Sequence, residues 1–285
     1  PRCPAANSPA ANFDTPRSTN VFVRNVSAIA GTSLDTDGIV AAVYVAISTG
    51  SDIPYEDNFY NGTDFSATTA YMLTAVPVDG SFNSASENWQ YSSPLPVFLT
   101  SSIYKVSVQA VDNAGNTLSF SNVAKTTFTF DMVPAVSSVT FPQELAAFQR
   151  LATLSGTMGD FTGAQGISKV QVAIRRTLPI LYWDGAGNWN GDDTSPNWLD
   201  AAFSGSTWAF TNMPDWEADN DSVRKVFVRA LDAAGNVPAN PTFSSQGVQF
   251  VVDRSSPTSR VSSLASGSTA YLKTFLTSIA GTATD

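Results

Sequence analysis

Aspartates recur at fixed places in this chain of 285 residues, and their carboxylates are its best candidates for binding chemistry. Asp35 and Asp37 follow one copy of a repeated Gly-Thr phrase, and Asp160 follows the next copy. Asp131 and Asp253 each begin a short segment that ends in proline. Calcium takes about six to eight oxygen ligands from carboxylates and carbonyls on loops. The sequence therefore indicates calcium as its one candidate cofactor, with these five aspartates as candidate metal ligands.

A structural alternative stands beside the calcium hypothesis. Each aspartate can cap its own turn by accepting hydrogen bonds from nearby backbone N–H groups. The sequence contains no EF-hand loop and no repeated aspartate-rich nonapeptide. Both interpretations therefore remain open from the sequence.

Tryptophans crowd one polar stretch in the middle of the chain and offer a second kind of site. Trp183, Trp189 and Trp198 lie there, with Asp184 next to the first of them. A sugar ring could stack its C–H groups on an exposed indole while its hydroxyls bond to the carboxylate, so these four residues are candidate glycan ligands. The alternative is that the rings are the cross-strand pairs of a hairpin that covers the edge of a sheet.

Catalytic machinery is the least supported kind of site in this sequence. The chain contains no histidine, which removes the commonest general base and the commonest transition-metal ligand. Serine–histidine and cysteine–histidine nucleophiles are therefore excluded. Paired carboxylates remain, but no pair has a separation that the sequence fixes. Cys3 is the only cysteine, so the chain has no disulfide framework. We expect a protein that is not an enzyme.

The elements that position these residues repeat with a long period. The phrases Ile-Ala-Gly-Thr, Leu-Ser-Gly-Thr and Ile-Ala-Gly-Thr place glycines at Gly31, Gly156 and Gly281, each 125 residues after the last. A fixed period of this length is typical of a tandem array of whole domains built to one plan. We expect two complete modules and the first strands of a third.

A second landmark, Asp-x-Ala-Gly-Asn, follows an alternating apolar run in both modules. Alternation of this kind predicts a half-buried strand. The pentapeptide has residues that tolerate positive φ, and we expect it to form the turn of a hairpin. The residues assigned to this structural turn are Asp112, Gly115, Asn116, Asp232, Gly235 and Asn236.

The pattern as a whole predicts an all-β fold of tandem sandwiches. Several short strands alternate with turn signals, and no segment of useful length has apolar residues at helical spacing. Trp89 and Trp208 recur at matching positions, which favours packing in the core. We expect modules at 1–133 and 134–255 and an incomplete third module at 256–285.

The charge of the chain excludes two classes of partner. Its formal net charge is −9, from 15 basic and 24 acidic residues. An acidic chain without a basic stripe is a poor ligand for nucleic acid or for an anionic membrane surface. No apolar run is long enough to insert into a bilayer. We expect neither nucleic-acid binding nor direct membrane insertion.

These phrases, in this order, resemble bacterial immunoglobulin-like repeats. The order is Gly-Thr-x-x-Asp, Gly-Ile with an alternating strand, Tyr-Trp-Asp-Gly, Val-x-Val-x-Ala-x-Asp-x-Ala-Gly-Asn, and Val-Asp before a proline. The first module departs from it, because residues 55–60 match Tyr182-Trp183-Asp184-Gly185 only loosely. The resemblance implies tandem immunoglobulin-like β-sandwich modules of large secreted or cell-surface, adhesin-like proteins, and hence an extracellular or cell-surface location. It implies no particular ligand.

Three function classes follow from the sequence. The leading hypothesis is a non-enzymatic structural and adhesive repeat region that forms an extended stalk or filament, with neighbouring modules of the same longer chain as its partners. The alternatives are a module that binds surface glycans or another partner, and accessory repeats of a secreted hydrolase.

The C-terminal residues 256–285 raise one more alternative. They hold Tyr271, Leu272, Phe275, Leu276 and Ile279, enough apolar side chains to need a sandwich to pack into. We expect them to belong to a third module that continues beyond Asp285. The other hypothesis is that they dock on another copy of the chain by β-augmentation.

Overall fold

A computed structural model describes residues 7–17, 21–50, 58–160, 166–216, 222–243, 245–262 and 279–285. Every regular element in those ranges is a β-strand, and the chain is built of tandem immunoglobulin-like β-sandwich modules. The predicted fold class is therefore confirmed. Cys3 and four of the apolar residues noted in the C-terminal segment, Tyr271, Leu272, Phe275 and Leu276, lie outside the described residues.

Packing divides the chain into two compact units. The first consists of Pro1–Val136, Met158–Lys169 and Ala230–Ala239, and the second of Ser137–Thr157, Val170–Arg229 and Asn240–Asp285. The module boundaries expected from the sequence, 133/134 and 255/256, stay predictions.

The first sandwich has two sheets. Its strands are Ala10–Thr15 (β1), Val21–Val23 (β2), Ile29–Leu34 (β3), Val40–Thr49 (β4), Phe59–Tyr60 (β5), Phe65–Ala67 (β6), Leu73–Thr74 (β7), Val76–Pro77 (β8), Ser86–Tyr91 (β9), Ser102–Asp112 (β10) and Ala124–Phe130 (β11). One sheet has the order β1-β3-β9-β8, and the other β2-β11-β10-β4-β5-β6 with β7 also paired to β4. Residues 73–77 thus pass from one sheet to the other.

The second sandwich repeats this plan. Its strands are Val136–Phe141 (β12), Ala146–Phe148 (β13), Leu154–Gly159 (β14), Ile167–Arg176 (β15), Leu181–Trp183 (β16), Trp189–Asn190 (β17), Leu199–Ser204 (β18), Thr207–Phe210 (β19), Ser222–Asp232 (β20) and Val248–Val252 (β21). The order is β12-β14-β19-β18-β15-β20-β21-β13, with β16 paired to β15 and β17. The first half of β18 pairs with β15 and its second half with β19, so β18 is the strand that joins the two sheets. A separate hairpin pairs Thr258–Val261 (β22) with Gly281–Thr284 (β23).

The first strand of each sandwich divides between the two sheets. β1 pairs antiparallel with β3, and the chain then crosses so that β2 pairs in parallel with β11. In the second sandwich β12 lies beside β14, and β13 pairs in parallel with β21. Each sandwich is therefore closed by a parallel pair between the second half of its divided first strand (β2 or β13) and its last strand (β11 or β21).

The alternating strands supply the core, as the sequence predicted. Val106, Val108 and Ala110 on β10 are buried, in register with β4 on one side and, for Val106 and Val108, with β11 on the other. Trp89 and Trp208 are also buried, which confirms their assignment to the core. Burial of such apolar side chains contributes about 25 cal/mol for each Å² removed from water.

The periodic glycines are explained by close packing between strands. A Cβ atom on Gly156 would overlap the carbonyl oxygen of Ser138 on β12 and would lie 2.7 Å from the ring of Trp208. Gly31 has the same surroundings, with Asn12 on the neighbouring strand and Trp89 as the ring. Each tryptophan pairs in register with its glycine and covers the space that a side chain would need. Only glycine fits there, because backbone and ring approach so closely.

A buried carboxylate organises the turn before β9. Glu87 is buried, and its Oε1 accepts hydrogen bonds from the backbone N–H groups of Asn83 and Ser84 at 2.8 and 2.6 Å. Burial opposes ionisation, but these hydrogen bonds outweigh it and hold the pKa of Glu87 below its ordinary value. The ionised side chain therefore stabilises the first sandwich.

Among the described residues, no helix has the length and apolar character needed to cross a membrane.

Replacing Gly156 by alanine should destabilise the second sandwich by roughly 2 to 3 kcal/mol, because β12 and Trp208 must move to admit a methyl group. Equilibrium unfolding in urea, followed by tryptophan fluorescence, measures the change. Gly159→Ala is the matched control in the same strand, since a Cβ there would only touch Val136 at 3.9 Å. Equal losses in the two variants would show that the close packing is not the cause.

Replacing Glu87 by glutamine should lower the stability of the first sandwich at pH 7 by about 1 kcal/mol, since the amide accepts the same hydrogen bonds without charge. The pKa of Glu87 is lower in the folded state, so its contribution is present above the unfolded pKa and is lost as the pH falls through the folded value. The difference from wild type should therefore disappear in acid. Urea unfolding at a series of pH values measures it.

Asp14→Asn is the control, because it removes one carboxylate from the exposed face of β1. A constant gap between wild type and Glu87→Gln across the whole pH range would contradict the role of ionisation.

Candidate metal centre

Three carboxylates meet in the first compact unit. Asp131 follows β11, Asp160 follows β14, and Asp232 is the last residue of β20. One ligand oxygen from each lies within 4.8 Å of the others. The acidic side chains are thus carried at or directly after the ends of three strands.

Two of the three carboxylates are withdrawn from solvent. Asp131 and Asp232 are 0% and 2% exposed, whereas Asp160 is partly exposed. Oδ1 of Asp131 accepts a hydrogen bond from the N–H of Val133 at 2.9 Å, and Oδ1 of Asp232 accepts one from Asn236 at 2.6 Å. Oδ2 of Asp131 and Oδ2 of Asp232 are buried and accept none. Such buried oxygens are costly unless something pairs with them.

The negative charges of Asp160 and Asp232 act on the carboxylate of Asp131. Burial raises the pKa of Asp131 against the opposing hydrogen bond from Val133, and the neighbouring charges of Asp160 and Asp232 raise it further. Like charges at this separation repel in a medium of low dielectric constant. The arrangement can hold a cation, because carboxylate oxygens are the ligands that hard divalent cations prefer.

The five aspartates predicted as calcium ligands are thus only partly brought together. Asp131 and Asp160 are in the cluster, while Asp35, Asp37 and Asp253 belong to no group of three acidic side chains in the described residues. Asp35 instead accepts a hydrogen bond from the N–H of Asp37 at 3.3 Å, and Asp37 accepts one from Asn7 at 3.0 Å.

Asp232 was expected to serve only its turn, and the structure places it in the cluster. Its pentapeptide forms the predicted turn, with Gly235 at a φ of 83°. The available signal was its position, since Asp232 ends a strand at the same place in the module as Asp112. That position alone could not separate a turn-capping aspartate from a ligand.

The corresponding turn in the first sandwich has no free oxygen. Asn116 donates its backbone N–H to Oδ1 of Asp112 at 2.7 Å and its side-chain amide to Oδ2, also at 2.7 Å. The side-chain hydrogen bond from Asn116 is the main reason that the pKa of Asp112 is low. Gly115 adopts a φ of 87°. Both carboxylate oxygens of Asp112 are therefore engaged within its own turn.

A third copy of the pentapeptide lies at 184–188 and was missed in the sequence. Asp184 accepts hydrogen bonds from the backbone of Ala186 and Asn188 at 2.8 and 2.9 Å. The amide of Asn188 donates to Oδ2 of Asp184 at 2.9 Å, as in the first sandwich. The backbone hydrogen bond from Asn188 leads the group that lowers the pKa of Asp184. Its carboxylate is engaged by its own turn.

The tryptophans beside this turn form a packed hairpin. Trp183 on β16 pairs across the strands with Trp189 on β17, with ring centroids 5.8 Å apart. Trp183 is buried and donates Nε1–H to the carbonyl of Asn212 at 3.1 Å. Trp189 is half-buried, and the guanidinium of Arg176 lies 4.4 Å from its ring centroid. These contacts match the cross-strand alternative, and glycan binding stays a prediction that a glycan array would test.

Trp198 is held by a different arginine. The guanidinium of Arg229 lies 4.2 Å from its ring centroid and donates Nε–H and Nη2–H to Oε1 of Gln171 at 2.9 and 2.7 Å. Gln171 in turn donates Nε2–H to Asp200 at 2.9 Å. Burial lowers the pKa of Arg229. Arg229 therefore covers one face of Trp198 in a cation–π contact.

Comparisons with known proteins assign the chain to no family. No protein-family model matches the sequence, and no curated protein matches it. Among solved structures, the chain is similar to fibronectin(III)-like modules of CbhA from Clostridium thermocellum, with 13% identity over 85% of this chain and 94% of that one and a TM-score of 0.37. It is also similar to the I9–I11 tandem from titin, with 10% identity over 86% of this chain and 65% of that one and a TM-score of 0.23. The chain therefore spans less than two thirds of the titin tandem.

Replacing Arg229 by lysine should lower the stability of the second sandwich by about 1 kcal/mol, because lysine cannot make the paired hydrogen bonds to Gln171 while covering Trp198. Guanidinium unfolding measures the change. Arg260→Lys, at an exposed position on β22, is the control and should be neutral. If the two variants unfold at the same denaturant concentration, the contacts of the Arg229 guanidinium with Trp198 and Gln171 contribute nothing to stability.

Proposed function

We propose that this chain is a non-enzymatic structural repeat region whose sandwiches act as mechanical spacers in a longer extracellular or cell-surface array. The observation that carries the proposal is the parallel pair between the first and last strands of each sandwich. Its support comes from the fold of each module.

The parallel pair is a contact that stretching of the chain loads in shear. When the two ends of a sandwich are pulled apart, β2 and β11 slide along one another in opposite directions. Their backbone hydrogen bonds are then loaded in shear and must break together rather than one after another. Antiparallel neighbours pulled from one end would instead open sequentially.

In each sandwich, one further backbone hydrogen bond is made by the residue that follows the last strand. The N–H of Asp131 donates to the carbonyl of Val23 at 2.9 Å, directly after the pair of β2 with β11. The N–H of Asp253 donates to the carbonyl of Phe148 at 3.0 Å, directly after the pair of β13 with β21. In both sandwiches, the residue after the last strand is thus hydrogen-bonded to the strand with which that last strand pairs in parallel. Repeats of this kind behave as near-independent units that are coupled only to their neighbours.

Fewer observations support the other two functions proposed from the sequence. The accessory role beside a catalytic domain concerns residues outside this chain. The glycan-binding role depends on Trp183, Trp189, Trp198 and Asp184, whose main contacts are with their own sandwich. The spacer role uses a feature that both sandwiches share.

Stretching the full chain from its two ends in an atomic force microscope should give one discrete unfolding event for each sandwich. A module of this size should release roughly 40 nm of chain, since an extended residue spans about 3.3–3.6 Å. Thermal unfolding of the same chain in a calorimeter is the control that both sandwiches are folded before stretching.

A chain that is folded by calorimetry but extends smoothly, with no discrete event, would contradict the mechanical role. Discrete events of the expected length would support it whether or not the chain also binds a ligand.

A further inference from the structure

The asparagine side chain of one of the three Asp-x-Ala-Gly-Asn turns has a different hydrogen-bond partner from the other two. In the turns at Asp112 and Asp184, the asparagine side chain donates to Oδ2 of the aspartate. In the turn at Asp232, the side-chain amide of Asn236 donates instead to the carbonyl oxygen of Asp131 at 3.0 Å. Oδ2 of Asp232 is left buried without a donor.

This exchange ties the turn to the segment that carries Asp131. Asn236 is itself 7% exposed, so its amide is committed to that contact. Two buried carboxylate oxygens, on Asp131 and Asp232, remain without a hydrogen-bond donor beside the third acid, Asp160. A protein that only needed the turn would keep the amide on the carboxylate, as the other two turns do.

We propose that Asp131, Asp160 and Asp232 bind one calcium ion. The proposal goes beyond the spacer role and does not depend on it. The ion would neutralise the repulsion among three carboxylates and would give the two buried Oδ2 atoms a partner. It would also cross-link three segments of the first compact unit that are far apart in sequence.

The donor set selects the class of ion. All three ligands are carboxylate oxygens, whereas zinc prefers histidine nitrogen and cysteine sulfur. Magnesium demands near-ideal octahedral geometry and keeps several waters, whereas calcium accepts irregular sets of carboxylates and carbonyls from loops. Three carboxylates carried by three separate segments form an irregular set of that kind. The partly exposed Asp160 leaves a side from which ion and water can enter.

Part of the same arrangement recurs one period later. Asp253 and Asp285 occupy the positions in the repeat that correspond to Asp131 and Asp160. Oδ1 of Asp253 accepts a hydrogen bond from the N–H of Ser255 at 2.9 Å, as Asp131 does from Val133. Asp253 and Asp285 line one surface cleft. The two acidic positions thus recur in the next module, 122 residues after Asp131 and 125 residues after Asp160.

The test uses the full chain, stripped of metal with EDTA and dialysed, and titrated with CaCl₂ by isothermal calorimetry. Wild type should bind calcium, and Asp131→Asn and Asp232→Asn should each weaken this binding by at least about tenfold because the ligand charge is reduced. Asp112→Asn is the matched control, since it removes the same carboxylate from a turn whose oxygens are already occupied. It should bind as wild type does.

Thermal unfolding adds a readout that a purely structural role would not produce. Saturating calcium should raise the unfolding temperature of the first unit by roughly 5 °C in wild type. In EDTA, Asp232→Asn should unfold at a higher temperature than wild type, because one of three repelling charges is gone. In calcium the order should reverse. Asp112→Asn should unfold below wild type by the same amount in both conditions.

The proposal is overturned if wild type neither binds calcium nor gains thermal stability from it. It is also overturned if binding persists undiminished in both Asp131→Asn and Asp232→Asn, because the ion would then be held elsewhere. Reversal of the order between EDTA and calcium in Asp232→Asn supports the proposal, and weakened calcium binding by Asp131→Asn supports it independently, so a failure of one variant to fold does not decide it.

Discussion

The close approach of a backbone carbonyl and a tryptophan ring to one glycine is the contact on which the rest of each sandwich depends. At Gly156 the neighbouring strand and Trp208 leave no room for a side chain, and Gly31 has the same surroundings. A shift of one residue in register would turn every side chain to the opposite face. The glycine therefore fixes the register of its sheet, and the register decides which residues reach the strand ends where the acidic side chains gather.

The acidic cluster shows how the surroundings of a local motif change its hydrogen bonds. Asp112, Asp184 and Asp232 begin the same pentapeptide, and each accepts a hydrogen bond from the backbone of its own turn. Only at Asp232 does a carbonyl from another segment attract the asparagine amide away from the carboxylate. The difference lies in a contact across more than a hundred residues, and it leaves Oδ2 of Asp232 buried without a hydrogen-bond donor.

The sequence was informative where a pattern is local and repeated. The alternation on β10, the shared period of Gly31 and Gly156, and the burial of Trp89 and Trp208 all followed from spacing and residue type. The strand that joins the two sheets could not be predicted, because residues 73–77 are too few to show a period. Of the cluster, Asp131 and Asp160 were expected, whereas the role of Asp232 depends on where one distant amide points.

Pairing of the first strand with the last also sets the order of events while the chain is made. β2 cannot find its parallel partner until β11 has been synthesised, roughly a hundred residues later. At a typical synthesis rate of about 5–20 residues per second, the early strands wait for several seconds with an open edge. Each sandwich then closes in one step when its final strand arrives. The chain is thus completed module by module, and an unfinished module has an exposed edge that a neighbouring nascent chain could occupy.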